Sequence, residues 1–502
     1  MIYQSLIRTK AYELLKSLHP DLYETNGYQY FKRQAKNLYA GCEHPSYNVS
    51  FYDKVKQAVS TRVGKHANPT KFICEDMTRL SFGEKAIIKI NNNTSVDNYF
   101  QNVFKETQFI LNLKNLTEKS FYALGGMAAM PYISNKKLTY DWIDADFYIP
   151  IQYTQTDISG AKYAKIGKKD KVSYVLIVIN EIINGSLIIT NELYTYQKNK
   201  EEYKRSELKS LFPEAEETIV LENFDEILIT YGKNAKANNV DFDTPEGLPF
   251  TSNAEDLIEL FNMNIDNIYS ELKAGKQKQA VPQKWLTSFT NQYGDFSRGI
   301  DYKNDEIIIA PDGALDVTNE ITTFSGDYRS QEIIDMGQGL LNLISVQLGL
   351  DAGYYSFNPD GSLTATEVIS KRSKTFTEKR NEEKNIQDFV EKLIKNSVKV
   401  LQLEGLAFGG IDADKLDIQF IADDSIITDD NKQGEVARTE VSENLRSDYD
   451  YMINIRKLTP NQAQEELDRI DKRAKEKQDA FFDTSNEDDN EENEDDEEWV
   501  YL

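Results

Sequence analysis

Carboxylates at a regular spacing are the first feature of this sequence that could do chemistry. Asp312, Asp316 and Glu320 recur at every fourth residue of PDGALDVTNE. Carboxylate oxygens can hold the divalent cations that assist phosphodiester hydrolysis, so a metal-dependent nuclease is one hypothesis. The chain contains 83 Asp and Glu residues, however, and a group of this kind is expected by chance. The nuclease is therefore kept as an alternative.

Other catalytic signatures do not meet the spacing that their chemistry needs. The histidines, His19, His44 and His66, lie near the N-terminus in no metal-ligand pattern. Residues 160–169, GAKYAKIGKK, have six residues between their glycines, where a phosphate-binding loop has four. We interpret this segment as a turn between strands. The sequence thus predicts no catalytic site, no metal and no cofactor, and hence a protein that is not an enzyme.

An aromatic loop is the feature most suggestive of function. In LGLDAGYYSFNPDGSLTATEV, Tyr354, Tyr355 and Phe357 lie between two helical segments, and Pro359 and Gly361 restrict the loop. The rings could pack onto the neighbouring helices as a local plug. Alternatively, the loop protrudes and touches something that passes by. Both interpretations stay open from the residues alone.

The elements that would position this loop follow from apolar periodicity. Residues 1–251 combine helical pattern with short antiparallel strand-like runs, which predicts an α+β unit. Ser252 with Glu255 is typical of a capping box, and it begins a helical rod over 252–275. Residues 276–326 resemble a small strand-rich insert, and a second rod covers 327–349.

The chain after the loop is predicted to be mainly helical. Thr364 with Glu367 forms a second capping box, which begins a helix that extends to about Leu403. A strand in KLDIQFIADDSIITD then rejoins the earlier sheet, which completes a segment over 364–430. Further helices are expected over 431–482, and an acidic tail over 483–502 is expected to be disordered.

Charge and composition exclude several classes of protein. The formal net charge is −25, and residues 487–498 hold ten carboxylates, which leaves −15 on the rest. This balance argues against a protein that wraps nucleic acid or lies on an anionic membrane. No apolar run approaches the length of a membrane span, and two cysteines, Cys42 and Cys74, cannot form a disulfide framework. This low cysteine content is consistent with a protein of a reducing compartment.

The order of these elements resembles that of portal proteins of tailed bacteriophages. The likeness rests on QLGL…GYYSF…TATEV, on KFICEDMTRLSFGEK near residue 71 and on ALGGMAAMPYI near residue 123, and it covers about residues 65–475. It is closest to portals of long-tailed phages of Gram-positive bacteria. The resemblance implies a ring, usually of twelve copies, that stands at one vertex of a capsid and contains a DNA channel.

The resemblance also implies the four parts of a portal subunit. The wing would comprise residues 1–251 together with the long helix and returning strand of 364–430. The stem would be the helices at 252–275 and 327–349, the clip would be residues 276–326, and the crown residues 431–482. Residues 350–363 would form the tunnel loop that lines the narrowest part of the channel.

Site residues and partners follow from the same resemblance. The tunnel loop would present Asp351, Tyr354, Tyr355, Phe357 and Asn358 to DNA. Basic residues beside it, Lys371 and Arg372, are candidate DNA contacts, and the clip would dock partners through Lys276, Lys278, Lys284 and Trp285. The implied partners are double-stranded DNA, the terminase motor, adaptor or head-completion proteins, and the major capsid and scaffolding proteins. The implied location is the virion, and the host cytoplasm during assembly.

One departure and one further alternative accompany the resemblance. The clip arm has Gln277 and Gln279 where related portals often carry a more basic, apolar stretch. This departure affects which clip residues are expected to touch partners. An acidic scaffold or DNA mimic, in which the tail at 483–502 is the functional element, is the alternative from a third class.

Overall fold

The computed structural model describes most of the chain. The described residues are 2–18, 28–41, 48–53, 58–83, 85–154, 157–222, 224, 226–274, 329–356 and 372–423, together with short elements between 278 and 324 and between 438 and 473. The chain divides into two compact units, one formed by residues 1–363 and 367–423, the other by residues 364–366 and 424–502. The first unit contains the rods, the start of the aromatic loop and the long helix.

Helices and antiparallel strands alternate in the N-terminal part, as the predicted α+β class requires. The elements are α1 Ile2–Leu18, α2 Tyr28–Ala40, β1 Asn48–Asp53, β2 Ala58–Val63, α3 Pro69–Phe82, β3 Lys85–Ile90, α4 Thr94–Glu106, α5 Phe109–Leu116, β4 Gly126–Ser134 and β5 Lys137–Asp144. Asn68 caps α3 by accepting a hydrogen bond from the amide of Lys71, and Pro69 occupies the first helical position. Cys74 is fully buried in α3.

A large antiparallel sheet follows. Its strands are β6 Tyr148–Tyr153, β7 Ile158–Lys169, β8 Val172–Ile183, β9 Ser186–Gln197, β10 Glu202–Ser206 and β11 Thr218–Glu222. Tight turns at Asp170–Lys171 and Asn184–Gly185 have positive φ at both central residues, the geometry that matches the twist of a hairpin. Residues 160–169 therefore lie in β7, paired with β8, and not in a turn.

Two glycines close the connection into a smaller sheet, in which β4 pairs with β5 and with β12 Thr230–Lys233. Gly125 has φ +94°, and a Cβ there would collide with the carbonyl oxygen of Gly247. A Cβ on Gly126 would collide with the ring of Tyr231. Close packing explains both glycines, and no ligand is needed to account for them.

The two predicted rods are present as α6 Glu255–Ala274 and α7 Ser330–Gln347. Asn264 donates a hydrogen bond to the carbonyl of Ile333 (3.0 Å), and Glu271 pairs with Arg329. Between these two contacts the chain advances from Asn264 to Glu271 in α6 but goes back from Ile333 to Arg329 at the start of α7. The rods are therefore antiparallel. Between them lie short strands: β13 Lys278–Pro282, β14 Ser288–Thr290, β15 Phe296–Arg298, β16 Ile307–Ala310 and β17 Thr322–Phe324.

The predicted capping box at the start of the first rod does not form. Residues Ser252–Ala254 make a 3₁₀ turn that leads directly into α6. Ser252 therefore lies inside a helical turn, and its buried hydroxyl has no hydrogen-bond partner. Glu255 begins the α-helix, where burial and the neighbouring Asp256 raise the pKa of its carboxyl to about 7. The prediction was wrong because the helical turn begins earlier than the apolar repeat indicates.

The long helix after the loop is α8, Ser373–Leu403, and it ends where the sequence predicts. Its inward side, including Ile386, Phe389 and Leu393, is the centre of the main core. The returning strand β18 Ile418–Asp423 pairs with β3, which confirms that it rejoins an earlier strand, although in a separate two-stranded ribbon. The second unit contains α9, Asp448–Asn454.

Side-chain amides cover the edges of that ribbon. Gln387 of α8 bonds both the amide of Phe420 and the carbonyl of Ile418 on β18. On β3, Asp97 accepts a hydrogen bond from the amide of Ile90, and Gln101 donates one to the carbonyl of Ile88. An edge strand otherwise leaves such groups unpaired, so these contacts join α4 and α8 to the ribbon. Among the helices that the structure describes, none has the length and apolar character that a bilayer crossing requires.

Candidate functional site

The aromatic loop begins with a tight reversal at the end of α7. Gly349 (φ +83°) and Gly353 (φ +80°) both lie in the left-handed region that favours glycine. The amide of Leu350 donates a hydrogen bond to the carbonyl of Ser345 (2.9 Å), and the side-chain amide of Gln338 donates one to the carbonyl of Tyr355 (3.1 Å). The first residues of the loop therefore fold back onto the rod from which they emerge.

Both tyrosines of the loop are anchored on helix α3. Tyr355 is only 8% exposed, and its ring meets Phe72 edge-on at 5.4 Å. The Tyr354 hydroxyl donates a hydrogen bond to Oδ2 of Asp76 (2.8 Å), and the Tyr355 hydroxyl donates a longer one to the same oxygen (3.4 Å). The protruding role predicted for these two rings is thereby corrected, because they form the local plug that was the other interpretation.

The pKa shifts fit this anchoring. Burial raises the pKa of both phenols well above the ordinary range, so both hydroxyls remain donors at any physiological pH. Burial also raises the pKa of Asp76, while the two phenols and the charges of Arg79 and Arg372 act in the opposite direction. The carboxyl group is thus half-buried and has several compensating partners.

Arg372 lies at the other end of the loop, next to the same tyrosines. Its guanidinium is 5.3 Å from the centre of the Tyr354 ring, and the residue is exposed. Of the two basic residues predicted to contact DNA, it is the one that the described residues include. Phe357, Asn358, Lys371, Thr364 and Glu367 lie outside the described residues.

A clamp holds the two ends of the loop together. Oδ2 of Asp351 accepts hydrogen bonds from the backbone amide and the hydroxyl of Thr375, both at 3.0 Å. The Thr375 hydroxyl accepts in return from the amide of Asp351 (3.1 Å). Because Thr375 is in the first turn of α8, Asp351 supplies the carboxylate that the N-terminus of that helix favours. Asp351 was predicted to face DNA, but its described contacts are structural.

Lys236 connects the end of α7 and the start of α8 to the body of the protein. Its ammonium donates to the carbonyl of Leu348 (2.7 Å) at the C-terminus of α7 and pairs with Glu378 of α8 (2.7 Å). A cation is favourable at this end of a helix because of the helix dipole. The ends of α7 and α8 are therefore fixed to one another and to the segment that follows β12.

Glu382, one turn further along α8, gives this joint a pH dependence that can be measured. It is fully buried and accepts one hydrogen bond, from the amide of Ala235 (3.1 Å). Burial, with a smaller effect of Glu378, raises the pKa of its carboxyl from 4.5 to about 8. Below pH 4.5 the group is neutral in both the folded and the unfolded chain. Between 4.5 and 8 only the unfolded chain ionises, so the free energy of unfolding falls as the pH rises.

We expect Glu382→Gln to remove this loss. Between pH 5 and pH 8 the wild-type free energy of unfolding should fall by about 3 kcal/mol more than that of the variant, since each pKa unit corresponds to about 1.4 kcal/mol. Urea unfolding at the two pH values measures the difference. Glu391→Gln, a change at a partly exposed position of the same helix, is the matched control. Parallel pH profiles for all three proteins would contradict the assignment.

The predicted clip and nuclease residues cannot be placed. Lys276, Lys284 and Trp285 lie outside the described residues, as do Asp312, Asp316 and Glu320. Lys278 is the first residue of β13, and nothing is described of its side chain. Within the described part of the chain, no group of three or more His, Cys, Asp and Glu side chains is arranged to hold a metal ion.

A cleft that the sequence did not predict lies beside β5 and β7. Its volume is about 380 Å³. Aromatic rings, including Trp142 and Tyr132, line it together with two ion pairs, Lys165–Asp141 and Lys119–Asp144. Since these charges already neutralise one another, the cleft gives no indication of which ligand it would select.

The rods carry an exposed apolar surface, which we call the rod stripe. It comprises Leu260 and Met263 on α6 and Met336, Leu343 and Val346 on α7, each between 48% and 57% exposed. On α7 these positions recur at helical spacing on one side of the helix. Gly339 lies between them, and no atom lies within 4 Å of the position that its Cβ would occupy. Exposed apolar residues in such a row indicate a protein contact surface more than a solvated face.

No protein-family model matches the chain, and a comparison with curated protein sequences also finds no match.

Proposed function

We propose that this chain is a portal protein, one subunit of a ring through which double-stranded viral DNA is packaged and ejected. The observation that carries the proposal is the rod stripe: two antiparallel helices bracket a strand-containing insert and expose large apolar side chains, the five of the stripe among them. A solitary globule gains nothing from this exposure. A neighbouring copy that covers the stripe would bury it, at a gain of about 1 kcal/mol for each half-exposed side chain.

A ring uses such a surface in a particular way. One face of each subunit fits a different face of the next, and the ring closes when the rotation between copies divides the circle evenly. Long rods that stand around an axis offer faces of this kind. In this proposal α6 and α7 are the stem, the insert between them is the clip, and the α+β body with α8 is the wing.

The negative net charge of the chain favours a channel through which DNA moves rather than a surface that binds DNA tightly. The residues outside the acidic run carry a net −15, and carboxylates that face a lumen would repel phosphates. Screening limits this repulsion to about 8 Å at physiological salt, so only residues at the channel wall contribute. Contacts with DNA are then local and weak. Phe357, Asn358, Lys371 and Arg372 keep their proposed role in them, whereas Tyr354, Tyr355 and Asp351 act by anchoring the loop.

The proposed partners are those of a portal. The terminase motor would dock at the clip during packaging, and adaptor or head-completion proteins would replace it later. Major capsid and scaffolding proteins would surround the wing. The ring would belong to the virion after assembly in the host cytoplasm.

Particle mass tests the proposal in solution. Twelve copies of a 57.6 kDa chain give a particle of about 690 kDa, which light scattering on the purified full-length protein distinguishes from a monomer. A variant that lacks residues 483–502 should form the same particle, because the stem and not the tail makes the contacts. A tail-dependent assembly would instead favour the acidic scaffold.

A further inference from the structure

Asp76 of α3 joins two parts of the chain that are 278 residues apart in sequence. Its Oδ2 accepts hydrogen bonds from the hydroxyls of Tyr354 (2.8 Å) and Tyr355 (3.4 Å). Arg372, from the far end of the loop, covers the Tyr354 ring at 5.3 Å. One carboxylate on the body is therefore the common anchor of the residues that flank the loop on both sides.

We propose that Asp76 is a positioning residue that sets where the aromatic loop leaves the body of the protein. As a role in the channel, this inference rests on the proposed portal function; as a statement about the anchor itself, it does not. Asp76 acts through Tyr354 and Tyr355 and need not touch DNA.

The geometry makes Asp76 the part of the anchor that connects the loop to the body. The clamp between Asp351 and Thr375 fixes the two ends of the loop to each other, and Lys236 joins the ends of α7 and α8 to the body. The Asp76 contacts act beyond this joint, because they hold Tyr354 and Tyr355 to α3, which is packed into the main core through Ile73, Cys74 and Met77. A displacement of α3 would therefore be transmitted to the base of the loop.

The chemistry of the contact is strong enough for this role. Hydrogen bonds to an ionised acceptor are shorter and roughly twice as strong as those between neutral groups. Removal of the Tyr354 hydroxyl leaves the half-buried carboxylate with only the longer bond from Tyr355, and removal of the carboxylate leaves both hydroxyls without this acceptor. Either change should release the same segment, residues 350–356.

Amide hydrogen exchange on the purified full-length protein tests the anchor directly. We expect Asp76→Ala and Tyr354→Phe each to accelerate exchange over residues 350–356 by about tenfold. The double variant should exchange no faster than Asp76→Ala alone, because Asp76→Ala already removes the bond that Tyr354→Phe breaks. Tyr39→Phe is the matched control: it removes another phenol-to-carboxylate bond, from Tyr39 to Glu118 (2.7 Å), in which no residue of the loop takes part.

The outcomes separate the anchor from the portal function. Unchanged exchange in both single variants, or effects that simply add in the double variant, would overturn the positioning role. Tyr354→Phe keeps the ring of the side chain, so a folding failure of Asp76→Ala still leaves a decisive variant. If exchange responds as expected but the chain forms no ring, the anchor stands and the portal proposal falls. If rings form and exchange responds, packaged DNA should fall in the Tyr354→Phe variant and stay unchanged in Tyr39→Phe; equal packaging in the two would overturn the channel role of Asp76.

Discussion

Replacement of Met336 or Leu343 by glutamate should abolish ring formation and leave the fold of the single chain intact. Both side chains are more than half exposed on the same side of α7, seven residues apart. A charge there costs little in a solitary chain, because it stays in water, but it becomes buried and unpaired once a neighbour covers the stripe. Light scattering should then report a monomer, and circular dichroism should report an unchanged helix content.

The matched control is Gln331→Glu, which adds the same charge to the same helix on another side. It should assemble like the wild type. Rings that form equally well in all three variants would show that the rod stripe is not the contact surface, and the main support for the proposed function would be lost.

A buried ion pair should contribute strongly to the stability of the N-terminal α+β part of the chain. Lys32 of α2 is completely buried, and its ammonium pairs with Glu246 and donates to the carbonyl of Ala145 (3.0 Å). Burial lowers the pKa of Lys32 and raises that of Glu246, and their mutual attraction opposes both shifts. Glu246→Ala should therefore lower the free energy of unfolding by about 3–5 kcal/mol, because it leaves a buried charge without its partner.

Urea unfolding at one fixed protein concentration measures this effect, since the stability of an oligomer depends on concentration. The exposed pair Lys137–Glu106 (2.8 Å) provides the control, and Glu106→Ala should cost less than about 1 kcal/mol. A double change, Lys32→Met with Glu246→Leu, should recover most of the loss, because apolar side chains can replace a buried pair. Equal losses for Glu246→Ala and Glu106→Ala would contradict the account of the buried pair.

The elements of the fold were largely accessible from the sequence because their signals are local. Apolar periodicity placed both rods and the end of α8 within a few residues, and Gly349 lies just beyond α7 as predicted. The Asn184–Gly185 turn is a short-range hairpin signal of the same kind. Each of these depends on neighbouring residues alone, and so a single sequence contains the information.

The contacts at the candidate site were not accessible in this way. The cap of α8 comes from Asp351, 24 residues before Thr375, and the partner of Tyr354 is 278 residues away on α3. Such pairs exist only after the core has formed. Whether the rings of an aromatic loop protrude or pack onto the protein depends on the side chains beside the loop. Here α3 supplies Phe72 and Asp76, which contact the two tyrosines. Ser252 was mistaken for a cap for a different, local reason, because the helical turn begins at Ser252 itself, before the apolar repeat.

Single-particle images of the purified full-length protein test the central claim most directly. The account predicts class averages of a closed ring with a central hole, in which α6 and α7 stand around the axis and the rod stripe of each copy is covered by the next. A compact particle without a hole, or a monomer at every salt concentration, would contradict it.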